Sequence, residues 1–299
     1  MNDCEGGGEV FRVVPDQPTK PGDGEEMASA SDGNSSEPFF GRPVFLTVSS
    51  QLHLEVFTSA FPRVYTLQPA FRAEGSHTNR HLSEFWMLEA EMAFVDDVAA
   101  IMDILESSVK HLLASQEVKG CVDPDQVSYF DRAGNAPWPR ITYTQAVDLI
   151  QAGLGRHSIR WGDSISAEQE RWLADTAGEG LPVFVTNYPA ELKPFYMRPT
   201  ATTHGDRRTV ACFDLLVSRI GELAGGSMRE ERPEQIENVV KRLGMDPEQY
   251  KWYTELRRFG TTPHGGFGLG FERLISWIGG WENVRECIPA PRWKGRCIL

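Results

Sequence analysis

The stretch FRAEGSHTNRHLSEFWMLEAEMAF, residues 71–94, limits the possible folds more than any other part of the chain. Its second half alternates with a period of two, which predicts a β-strand. Glu84, Trp86, Leu88, Ala90 and Met92 fall on one side, and Phe85, Met87, Glu89 and Glu91 on the other. One side can be buried against helices. The other carries an aromatic ring and two carboxylates beside a loop holding Arg72, Arg80 and His81, which raises the question of what such a face serves.

The flanking segments supply the remaining elements. VFLTVSSQLHLEVF (44–57) predicts a strand running into a helix, and RVYTLQPAFR (63–72) a strand. Residues 94–116 show helical spacing of Val98, Ile101, Met102, Ile104, Leu105 and Val109, with Asp96 and Asp97 near the start. ITYTQAVDLIQAG predicts a helix ended by Gly153, and KWYTELRRFG one that runs up to Gly260. The runs 182–189 and 208–217 are β-rich, and 265–280 passes from a glycine-rich strand into a helix. Strands alternating irregularly with helices predict an α/β domain on a mixed or antiparallel sheet. Residues 15–38, rich in Pro, Gly, Ser, Asp and Glu, predict a flexible insertion.

With 299 residues the chain can bury a large core, as one α/β domain or two smaller ones. No apolar run approaches the roughly 20 residues of a membrane-spanning helix, and the first residues resemble no secretory signal. A net charge of −12 argues against a wholly basic nucleic-acid surface while leaving room for a local basic groove. Five widely spaced cysteines without a CxxC pair favour reduced thiols over a disulfide framework or a zinc site.

Four residues suggest an anion site. Arginine grips phosphate through two parallel charge-assisted hydrogen bonds, and Arg72, Arg80 and Arg273 all lie at strand ends or near glycines, with His81 adjacent. Arg273 follows a glycine-rich strand at a helix start, where backbone amides favour anions. Taken one at a time, surface arginines are common. Phe85 is either simple core or a stacking partner for a purine ring. Asp214 and Glu222 are either solvated acids or carboxylates for a magnesium ion on ATP phosphates. The glycines of GFGLG are compatible with a tight turn, and the P-loop pattern GxxxxGK[ST] does not occur. No nucleophile motif stands out, which leaves chemistry by positioning and charge.

Taken together, FRAE plus RHLSEFWMLEAEMAF resembles motif 2 of the class II aminoacyl-tRNA synthetases, and GFGLGFERL resembles motif 3. Between them NYPAELKPFYMR, FDLLVSRIGELAGGSMREER and WYTELRRFGTTPHGG resemble the asparaginyl enzymes, nearest to their organellar branch. The resemblance implies an α/β (α+β) class II catalytic domain across 1–299, a mainly antiparallel sheet flanked by helices. It implies asparagine, ATP with Mg2+, and tRNA-Asn as ligands, a homodimer, no membrane association, and a mitochondrial matrix or alternatively cytoplasmic location.

By position, the resemblance makes Arg72 the contact to the substrate carboxylate and α-phosphate, and Arg273 the grip on the γ-phosphate beside Gly270 and Glu272. Glu74, Arg80, His81 and Phe85 become the ATP loop and adenine ring, Asp214 and Glu222 the magnesium ligands. Glu5 and Gln51 receive the amino acid's ammonium group. Arg229 donates to its side-chain oxygen, and Glu74 is the acceptor for its amide NH2. Aspartyl relatives carry Lys in QLxK where this chain has Leu54, which favours asparagine over aspartate. Motif 1 and an anticodon-binding OB domain, expected upstream of NDCEGGG, are not in the sequence. WGDSISAEQE departs from WGxDLxxEHE at Ser164, Ile165 and Gln169. Ala290 also replaces a usual aromatic. An aspartate-amidating paralogue and a non-catalytic derivative are the alternatives.

Overall fold

The computed structural model describes residues 10–14, 39–75, 78–201 and 207–297; Glu5 and the 15–38 segment lie outside them. In chain order, β1 (Arg12–Val13) and β2 (Val44–Phe45) pair antiparallel and lead into helix α1 (Gln51–Thr58). Strands β3 (Arg63–Phe71) and β4 (Glu84–Ala93) precede helices α2 (Val98–Ala114), α3 (Gln116–Lys119) and α4 (Pro124–Asn135). Then come β5 (Arg140–Thr142), α5 (Tyr143–Leu154), α6 (Ala167–Thr176) and β6 (Val183–Thr186). Strands β7 (Cys212–Val217) and β8 (Gly221–Met228) are followed by α7 (Pro233–Arg242) and α8 (Pro247–Arg258). The chain continues through β9 (His264–Gly270) and α9 (Phe271–Gly279) to a small hairpin of β10 (Arg292–Trp293) and β11 (Arg296–Cys297).

Seven strands make one sheet in the order β3-β4-β9-β8-β7-β6-β5, antiparallel except for the β5–β6 pair. The period-two pattern of β4 assigns its faces. Leu88, Ala90 and Met92 join Phe267 and Leu269 of β9 in a core with Ile101, Leu105, Phe130 and Trp277 of α2, α4 and α9. On the opposite face Met87, Glu89 and Glu91 stand across from Gly270, Gly268 and Gly266, and Gly225 and Ser227 of β8 continue the row. The glycines of GFGLG therefore belong to a strand rather than to a tight turn. A β-carbon on Gly266 would lie 2.1 Å from the Ala90 carbonyl oxygen, so the close approach of β9 to β4 requires glycine there.

Helix starts follow their caps. The Asp97 carboxylate accepts the Ala99 N–H at the head of α2, whose buried stripe is Ile101, Met102, Leu105, Val109 and Leu113. Reciprocal Thr142–Gln145 and Ser166–Gln169 boxes start α5 and α6, so Gln169 supplies a normal helix start where the sequence departs from the family pattern. Helix α5 does not stop at Gly153. It runs to Leu154, and Gly155, at φ 105°, closes it. Gly153 sits inside because the Trp172 ring packs against it, 2.2 Å from where a β-carbon would be. Helices α4, α6 and α7 escaped the periodicity reading. No described helix is long and apolar enough to cross a membrane.

Candidate active site

A cavity of about 330 Å3 opens over the glycine face of the sheet, and every described candidate residue borders it. These are Gln51, Arg72, Glu74, Arg80, His81, Phe85, Asp214, Glu222, Arg229, Gly270, Glu272 and Arg273. Glu5 lies outside the described residues. Part of the floor is backbone because β8 and β9 present Gly225, Gly226, Gly268 and Gly270 to it, while β4 contributes Phe85, Met87, Glu89 and Glu91.

At one end the cations gather. The Arg72 guanidinium stands 5.4 Å from the centre of the Phe85 ring, which lies beyond it on β4. Glu74 is 3.9 Å from Arg72 and 3.5 Å from His81. Burial lowers the His81 pKa, against the pull of Glu74, so the imidazole favours its neutral form. Arg273 donates to the Glu222 carbonyl at 2.8 Å and approaches its carboxylate at 3.3 Å. Glu272 accepts the Trp86 N–H with both oxygens at 3.0 Å, tying the start of α9 to β4. Arg80 donates to Glu170 at 2.9 Å, while its Nε is buried and has no hydrogen-bond partner. A buried charged donor without an acceptor is costly, so this edge suits an anionic ligand.

Asp214 and Glu222 converge over Gly225. A β-carbon there would lie 3.2 Å from Asp214 Oδ1 and 3.4 Å from Glu222 Oε1. Two carboxylates above a glycine cradle fit a hard divalent cation. Lys193 stands at 2.8 and 2.9 Å from the Asp214 oxygens. Burial and Glu222 push the Asp214 carboxyl up, against Lys193. Burial also acts to raise Glu222, but Arg273, Lys193 and Arg80 outweigh it and hold that carboxyl low.

The other end is a buried charge network. Arg229 pairs with Glu91, reaches Ser227 Oγ at 2.5 Å and lies 3.9 Å from Glu55. Glu55 receives Arg257, the Tyr253 hydroxyl at 2.7 Å, His264 at 3.1 Å and Gln51 Nε2 at 3.1 Å. Burial pushes the Glu91 carboxyl up to about 7 despite Arg229. Glu89 is fixed by the Ser49 hydroxyl and by the Ser50 N–H at 2.8 Å. Glu91, not Glu74, is the carboxylate against Arg229; Glu74 belongs to the opposite end. Leu54 is buried and does not border the cavity. Reading the sequence missed Glu170, Lys193, Glu55, Glu89 and Glu91 as site residues. Glu89 and Glu91 left a signal as the two polar positions on an otherwise ordinary strand face, and Glu170 and Lys193 lie in the WGDSISAEQE and NYPAELKPFYMR blocks without a role having been read from them.

The family model for tRNA synthetases class II (D, K and N) matches residues 21–294. The chain is similar to a probable mitochondrial asparagine–tRNA ligase of Dictyostelium discoideum, 43% identical over 99% of this chain and 63% of that protein. It is 41% identical to the Mus musculus asparaginyl-tRNA synthetase, covering 100% of this chain and 61% of the other. The asparaginyl-tRNA synthetase of Pyrococcus horikoshii complexed with asparaginyl-adenylate superposes with a TM-score of 0.80 and 33% identity, over 99% and 62% of the two chains. The chain thus spans less than two thirds of the length of these relatives.

Proposed function

Since this chain belongs to the class II tRNA synthetases (D, K and N), we propose that it activates asparagine with ATP and passes it to tRNA-Asn. One observation carries this reading. Three arginines and an aromatic ring face one end of a cavity whose other end holds a buried arginine–glutamate couple. The first group suits a nucleoside triphosphate, and the second suits a neutral amide, which needs both a donor and an acceptor.

In the proposed reaction the asparagine carboxylate attacks the α-phosphorus of ATP, and the bond to the bridging oxygen breaks to release pyrophosphate. Arg72, lining the cavity beside Phe85, holds carboxylate and α-phosphate together and offsets the charge that builds between them. Phe85 stacks the adenine. Glu74 and His81 order the loop around it, while Arg80 and Arg273 hold the departing phosphates, with Gly270 and Glu272 shaping the start of α9. Gln51, with Glu5, receives the ammonium group. Asp214 and Glu222 would hold magnesium, whose contribution is to neutralise phosphate charge. Arg229 donates to the amide oxygen, and Glu91 accepts from its NH2, a role the geometry supports better for Glu91 than for Glu74.

The test is ATP–pyrophosphate exchange with asparagine and with aspartate, measured on this chain and on any longer protein containing it. Exchange with asparagine supports the proposal. Exchange with aspartate alone would point to an amidating enzyme, and none with any amino acid would sink the catalytic reading. We also place the protein in the mitochondrial matrix, on its similarity to the Dictyostelium relative, with the cytoplasm as alternative; fractionation of tagged protein decides. A second copy of the chain is the proposed partner, to be checked by sedimentation.

A further inference from the structure

We propose that Glu170 is a positioning residue for the triphosphate, holding Arg80 in place where it borders the cavity. The proposal rests on reading the cavity as an ATP site. Glu170 comes from α6, an element ninety residues from Arg80 in sequence, and neither motif 2 nor motif 3 contains it.

The geometry is specific. Glu170 Oε2 accepts both Arg80 Nη1 at 2.9 Å and the Glu222 N–H at 3.1 Å. The pair is mostly enclosed, with side chains 10% and 16% exposed, so it is not a loose surface ion pair. Leu173 and Ala174, on the same side of α6, are fully buried and fix the helix on the sheet. Gly221, at φ 85°, makes room, since a β-carbon there would lie 2.6 Å from Glu170 Oε2 and 3.1 Å from Arg80 Nη1. One carboxylate oxygen therefore ties the Arg80 side chain to the backbone of Glu222, whose own carboxylate meets Arg273.

Arg80 Nη1 is thus committed to Glu170, while Nε is buried and unpartnered. A guanidinium held at one nitrogen, with a second donor still unpaired, is pre-organised for a further anion, and less rotamer freedom is lost when that anion binds. Without Glu170 the arginine has no anchor, and Glu222 loses the acceptor that fixes its backbone.

The experiment compares E170A and E170Q with the unaltered full chain. Binding of MgATP and of AMP is followed by calorimetry, and KM for ATP and kcat by pyrophosphate exchange. Loss of a charge-assisted anchor should weaken ATP about tenfold in E170A, as a higher KM with kcat less affected. AMP, which lacks the outer phosphates, should bind as before. E170Q keeps an acceptor oxygen and should fall between the other two. Unchanged ATP affinity in E170A, equal loss of ATP and AMP, or a worse defect in E170Q would each overturn the proposal. If the unaltered chain binds neither nucleotide, the ATP reading itself falls, a result distinct from a wild-type protein that binds ATP and a variant that matches it.

Discussion

On the proposed function, replacing Glu91 with Gln should erode the choice between asparagine and aspartate. The Arg229 and Glu91 side chains are 3% and 2% exposed, so little water screens a charge brought between them. An asparagine amide offers Glu91 an NH2 donor, whereas an aspartate would set a second carboxylate against it. Two like charges about 4 Å apart at an effective dielectric of about 20 repel by roughly 4 kcal/mol. Replacing the carboxylate by an amide removes that repulsion and costs asparagine about 1 kcal/mol of charge-assisted hydrogen bonding. Together these shift the ratio of kcat/KM values toward aspartate on the order of a thousandfold. Pyrophosphate exchange with each amino acid reads the ratio, and circular dichroism confirms that E91Q folds. The wild type carries an internal control: with the Glu91 carboxyl pushed up to about 7, its preference for asparagine should shrink between pH 8 and pH 6, and E91Q should show no such trend. A folded E91Q that activates asparagine with an unchanged ratio at both pH values would refute the reasoning.

Phe85→Ala should raise the KM for ATP about tenfold through loss of base stacking, with little change in melting temperature because the ring is only half-buried. Gly225→Ala places a methyl within 3.4 Å of the Asp214 and Glu222 oxygens and should raise the magnesium concentration needed for half-maximal exchange, seen in a metal titration. Gly266→Ala and Gly268→Ala should behave differently. The first drives a methyl onto the Ala90 carbonyl and should unfold the sheet, whereas the second meets the mobile end of Met87 at 2.9 Å and should fold while narrowing the cavity, which thermal melts and KM values together distinguish. Stability should also carry the signature of Glu91. Its carboxyl is raised from the ordinary 4.5, so between about 4.5 and 7 the folded state holds a proton that the unfolded chain has lost. Stability therefore falls as pH rises through that window, and E91Q should flatten the slope in denaturant titrations across it.

The alternation of β4 told in advance which of its side chains meet the core and which meet the cavity, because a strand's faces depend on neighbouring residues alone. The arginines at strand ends were legible for the same reason. The roles of Glu170, Lys193 and Glu55 were not, even where the residue lay in a quoted block, since each matters through a partner far away in sequence, and nothing local distinguishes a carboxylate that will meet Arg80 from one in water. Gly153 misled in the same manner: as a stop signal it obeys local rules, but Trp172 needs the space of its missing side chain. Leu54, one helical turn from Gln51, faces away from the ligand space, so its contrast with the aspartyl relatives' lysine is not a contact to the substrate from this leucine. That Glu74 stands beside Arg72 and His81 while Arg229 pairs with Glu91 was not legible either, because the sequence does not say which residues of distant elements meet.

Having oil on one side of β4 and β9 and ligand chemistry on the other sets a rule for how these segments can change in length. Losing or gaining one residue would turn Glu89 and Glu91 into the packed interior and expose Leu88 and Met92 to the substrate. Two-residue changes preserve which side each residue occupies. Lineages of this protein should therefore accumulate length variation in the connecting loops, and where it reaches these strands it should come in even steps.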